Sequence, residues 1–284
     1  MITQLVDMGI VSYVCDEVLR QIQERPDLLD ASELAKLRAL FDERGGVDEF
    51  DLSLTGERLI FDDTIDFLYK SNGRLSNRSK TVVEEELAGR GRGQTIANRD
   101  EDIAAYDAWE DVAASILATP AWRRRGPTPD EHILLAATRR NGVHATATSM
   151  VAPVLSTALR SLVRTKTLVS AVRVAIAASE QRLATGSWPA SVGGLEPAPI
   201  DHFSGEPVRY RLGEDGPVIY SAGEDMDDDG GRARVDSEGV GVEPEWRPVD
   251  EIERMSGEEA AGIDGDWVLF PLGGEGEARG GGGD

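Results

Sequence analysis

Apolar residues recur at helical intervals through the first half of the chain and alternate over short runs towards its end. Ile2, Val6, Ile10, Val14, Val18 and Ile22 return at every fourth position, with Leu5, Met8 and Leu19 broadening the stripe. This predicts an amphipathic helix with that stripe turned to the core. Asp30 followed by Glu33 has the form of a capping box, opening a helix through Leu34, Leu37, Leu40 and Phe41 that Gly45-Gly46 ends. A further helix is expected over Glu57–Tyr69, closed by the turn Ser71-Asn72-Gly73. Gly89–Gly93 is too glycine-rich for a helix interior and reads as a connection, after which Ile103, Tyr106, Trp109, Val112 and Ile116 resume the helical period. The basic run Arg123–Arg125, followed by Gly126-Pro127-Thr128-Pro129, reads as a loop.

A long stripe follows, made by Val154, Leu155, Leu159, Leu162, Val163, Leu168, Val169, Val172 and Ile176. Beyond Gly186 the period drops to two: Val208–Leu212, Pro217–Tyr220 and Trp267–Phe270 read as short strands separated by glycine, proline and aspartate. So few strands cannot bury a face alone, so the long helix is expected to cover them. The fold class is therefore α+β. Residues 1–150 form a mainly helical region, and 151–272 a long helix packed on a small antiparallel sheet. Residues 273–284 form a Gly/Glu tail expected to be disordered.

Charge narrows the function. The 284 residues carry a formal net charge of −22, which argues against a nucleic-acid partner because phosphate would be repelled. From Asp201 onward there are 23 acidic and 7 basic residues, whereas His132 to Ser179 contains no acid at all. Arg160, Arg164, Lys166 and Arg173 on the long helix are thus expected to dock on the acidic C-terminal region. An anionic membrane surface is the less favoured partner. The single cysteine, Cys15, excludes an intrachain disulfide and a cysteine-rich zinc site. No uncharged run reaches the ~18 residues of a membrane helix, and no signal peptide is visible at Met1, so the chain reads as soluble.

The densest chemistry lies in Tyr220–Gly231. Asp225, Asp227 and Asp229 alternate, Gly230 follows, and Asp236 stands eleven residues after Asp225. These are positions 1, 3, 5, 6 and 12 of an oxygen-rich calcium loop. The aspartate at position 12 is shorter than the usual bidentate glutamate, which weakens the expected affinity. Spacing alone leaves open which of Asp227, Asp228 and Asp229 would ligate. The competing reading is a solvated acidic turn in a cytosolic helical adaptor.

Four landmarks occur in order: Gly186-Ser187-Trp188-Pro189, Asp201–Pro207 with Tyr210, Ser221–Asp225, and Gly265-Asp266-Trp267-Val268. Together they resemble the periplasmic domain of type II secretion major pseudopilins, over roughly residues 154–272. The resemblance implies a calcium site using Asp225 and a backbone carbonyl for which Ala222 is the candidate. It also implies a non-enzymatic envelope or scaffold role with protein partners. The basic leader and apolar helix of a pseudopilin are not in this sequence. The whole chain looks more like the end of long bacterial proteins of planctomycete type, in which an anchor precedes such a region. That would put the domain outside the cytoplasm. Zinc-protease, phosphate-loop and nucleophile-elbow motifs are all lacking. An enzyme reading would need a site in the helical region around Arg139, Arg140 and His144.

Overall fold

The computed structural model describes residues 2–44, 54–77, 79, 81, 95–125, 143–151, 154–235, 242, 244–245 and 247–271. In chain order the elements are α1 (Ile2–Glu24), α2 (Ala31–Arg44), α3 (Thr55–Leu68), β1 (Thr95–Ile96), α4 (Arg99–Leu117), β2 (Val143–His144), α5 (Thr146–Val151) and α6 (Val154–Thr185). After these come β3 (Arg209–Leu212), β4 (Pro217–Ser221), α7 (Val249–Ile252), α8 (Glu258–Ala261) and β5 (Trp267–Phe270). The fold is α+β. No helix among the described residues is long and apolar enough to cross a membrane. Gly89–Gly93, Arg139, Arg140 and the tail 273–284 lie outside the described residues, and of His144 only the backbone is described.

Local chemistry sets the helix starts. Asp30 Oδ1 accepts from the Ser32 and Glu33 N–H groups at 2.8 and 2.9 Å, and Glu33 Oε2 accepts from Asp30 N at 3.1 Å. This reciprocal bonding is the capping box read from the sequence. Asn98 and Glu101 repeat it at α4.

The chain divides into two compact units. One comprises residues 1–3, 51–119 and 126–159; the other comprises 4–50, 120–125 and 160–284. A division near residue 150 would separate α1 and α2 from the sheet. Instead they share its core: Cys15, Leu19, Ile22, Leu34 and Phe41 cluster with Leu168, Val172 and Ile176 of α6 and with Val208, Ile219, Leu269 and Phe270. The sheet has the order β3-β4-β5, antiparallel throughout, with Tyr210 opposite Ile219 and Ile219 opposite Phe270. Trp188 meets Phe270 edge-on at 6.4 Å, and Tyr210 Oη donates to the Pro189 carbonyl at 2.7 Å. The Trp-Pro turn is thereby fixed to the sheet.

The stripe expected to face the core on α1 is partly wrong. Val6, Ile10 and Val14 are exposed, while Met8, Cys15, Leu19 and Ile22 are buried. A four-residue step turns about 400° around a helix, so a strict repeat of four drifts about 40° per step. By Ile22 the stripe has rotated from outside to inside.

In the other unit, α3 and α4 meet through Phe61 stacked on Tyr106, with ring centroids 3.8 Å apart. The fully buried Asp102 holds this unit together. Its carboxylate accepts from Ala147 N (2.8 Å), Thr148 N (3.1 Å), Thr148 Oγ1 (2.8 Å) and Tyr69 Oη (2.8 Å), tying α4 to α5 and to the end of α3.

The basic positions of α6 divide their partners. Arg160 reaches Glu245 at 3.7 Å, and Arg164 lies over the Trp267 ring at 5.8 Å, both towards the C-terminal region as expected. Arg173, nearly buried, turns instead to Asp42 of α2 at 3.1 Å.

Candidate metal centre

The acidic loop is aimed by a buried carboxylate that the sequence reading passed over. Asp201 is fully buried and its two oxygens are saturated. Oδ1 accepts from Phe203 N (3.0 Å) and Ser221 Oγ (2.8 Å); Oδ2 accepts from Ser204 Oγ (2.9 Å) and Ala222 N (3.0 Å). It thus joins the Asp201–Pro207 turn to the end of β4, two of the four sequence landmarks. The signal was present as an aspartate followed by Ser204-Gly205, the composition of an Asx turn. Its long-range partners were not legible.

From Ser221 the chain turns through Gly223, whose φ of +71° favours glycine. A Cβ there would stand 3.2 Å from the Gly265 carbonyl oxygen. Glu224 then goes inward, fully buried, and is neutralised by the guanidinium groups of Arg234 and Arg247, with Glu245 N at 3.1 Å. It is committed to this pairing.

Asp225, Asp227 and Asp229 converge. Each offers a carboxylate oxygen, and the three lie within 4.8 Å of one another. Among the described residues they are the group whose ligand atoms meet in this way. Asp225 is half-buried, with Oδ2 accepting from Gly265 N at 3.3 Å and Oδ1 from Asp227 N at 3.4 Å. Burial, then the neighbouring Asp227 charge, push its carboxyl up to about 7. Burial and the charges of Asp229 and Asp264 likewise raise Asp227. Asp229 Oδ2 is buried with no hydrogen-bond partner among the described residues.

Asp228 points elsewhere. Arg209 Nε donates to it at 2.8 Å and Tyr220 Oη at 3.2 Å. Burial works to raise its carboxyl, but the Gly230 N–H and Arg209 outweigh it and hold the group below the usual range. Of the three aspartates 227–229, Asp227 and Asp229 converge with Asp225 and Asp228 does not. Ala222 is fully buried and held through its N–H by Asp201; Asp236 lies outside the described residues.

These residues suit a hard divalent cation. Three carboxylates with a raised or unpartnered oxygen offer the oxygen donors that hard cations such as calcium and magnesium take, whereas softer metals select thiolate or imidazole. His202 is buried against Trp122, ring centroids 5.8 Å apart, and is not in the cluster. A cleft of about 490 Å³ is lined by Arg234, Arg247 and Arg254 with Glu251, Glu258 and Glu259. Its guanidiniums are bound to Glu224, Glu251 and Asp250 in closed ion pairs.

Comparison of the chain with protein-family models, with curated proteins and with solved structures gives no match.

Proposed function

We propose that this chain is a non-enzymatic, calcium-stabilised, pseudopilin-like scaffold of the bacterial envelope, possessing a structural metal site and protein partners in a secretion-type assembly. The observation that carries this reading is the meeting of Asp225, Asp227 and Asp229 on a loop whose base is tied by Asp201. Asp225, Asp227 and Asp229 would hold the ion, with the Ala222 carbonyl as a further donor and Asp236 as the position-12 donor. The ion would supply positive charge to carboxylates that repel one another. Because the unfolded chain does not present this set, binding free energy would become folding free energy. An extracellular or periplasmic setting suits such a site, since calcium there is plentiful enough for modest affinity.

Isothermal calorimetry on the full chain tests this. Calcium should bind at one ion per chain, and Asp229→Asn should weaken it at least tenfold. Wild-type protein that takes up no calcium, or binding unaffected by that substitution, would remove the metal site from the account.

A further inference from the structure

We propose that Arg232 is a tethered counter-cation of this site: it balances Asp229 in the ion-free protein and yields that carboxylate when a divalent cation binds. The inference rests on the calcium reading above. Arg232 Nη2 donates to Asp229 Oδ1 at 2.5 Å and to Asp264 Oδ2 at 2.8 Å, so one nitrogen clips the acidic loop to the segment entering β5. The side chain is 57% exposed, which leaves it free to swing out without opening a buried hole. A pair made by so exposed a guanidinium is weakly held, so a divalent ion shared by three carboxylates would outcompete it.

A second observation shows that Arg232 leaves negative charge unbalanced. Asp266 is 1% exposed, and its Oδ2 takes the Gly231 N–H at 2.6 Å, so its carboxylate points into the loop. Its Oδ1 is buried with no hydrogen-bond partner among the described residues, as is Asp229 Oδ2. Buried carboxylate oxygens without partners demand a cation or a proton. Of the other arginines near the loop, Arg209 holds Asp228 and Asp201, and Arg234 and Arg247 hold Glu224; Arg211 lies beside Gly231. Arg232 alone, among the described residues, pairs with a member of the converging trio.

The test is calcium chloride titration of the full chain by calorimetry, together with melting in chelator, for wild type, Arg232→Gln and Arg232→Lys. Arg232→Gln should bind calcium about tenfold tighter, since a competitor and a like charge are removed together, and should melt several degrees lower in chelator. Collapse in chelator that calcium reverses counts as the same result. If Arg232→Gln folds under neither condition, Arg232→Lys decides, because its compact ammonium clips the two acids less well and should also tighten binding. Unchanged or weaker affinity in the deciding variant, with wild type binding normally, overturns the role of Arg232 and leaves the calcium site standing. Absence of binding by wild type overturns both.

Discussion

At the scale of single residues, a carboxyl and an imidazole, both displaced far from ordinary titration, make opposite predictions. Asp225 has a folded pKa of about 7 against 3.8 when unperturbed, from burial and then Asp227. The folded state therefore holds an extra proton between roughly pH 4 and 7, and in chelator stability is lost as pH rises through that window. Asp225→Asn removes the burden. In chelator at pH 8 it should melt a few degrees above wild type, in millimolar calcium below it, and near pH 4 the two should converge. A variant below wild type by the same amount in calcium and in chelator would refute a metal role for Asp225. His202 runs the other way. Burial, then Lys166, bring its pKa down to about 4 from 6.5, so its contribution is intact above 6.5 and is lost as pH falls towards 4. The loss is up to about 3 kcal/mol. Urea unfolding at pH 7 and pH 4.5 should show wild type losing ground to His202→Phe; a constant gap would remove His202 as the cause.

At the scale of elements, what could be read depended on whether the cause was local. Asp30 and Glu33 cap α2 through neighbours three positions apart, and β5 spans the same four residues as its alternating run, Trp267–Phe270. The face of α1 was misread because a repeat of four is not the helical period. The structural roles of the buried carboxylates Asp102 and Asp201 were not legible for a different reason. Most of what holds them lies far along the chain, at Thr148 and Tyr69 for one and at Ser221 and Ala222 for the other. At the metal centre the alternation of Asp225, Asp227 and Asp229 was legible. The diversion of Asp228 to Arg209, and the approach of Asp264–Asp266, depended on strand pairing. Asp102 gives a direct test of its element. Asp102→Ala orphans the Ala147 and Thr148 N–H groups of α5, leaves the Tyr69 and Thr148 hydroxyls only the backbone carbonyls of Ala97 and residue 102, and should cost about 3–5 kcal/mol in equilibrium unfolding. A loss under ~1 kcal/mol would show that the network is not holding α4, α5 and the end of α3 together.

At the scale of the molecule, a net charge of −22 is met around the acidic loop by local pairing: Arg234 and Arg247 neutralise the buried Glu224, and Arg209 the exposed Asp228. The converging trio is where this local neutralisation is incomplete, which makes an added cation the natural source of stability there. Thermal unfolding of the full chain at neutral pH, in millimolar calcium and in chelator with magnesium as the control, tests that claim most directly. The account predicts a melting temperature several degrees higher in calcium, with little effect of magnesium, which holds its water too tightly for a site of this kind. Identical melting in calcium and chelator would contradict it.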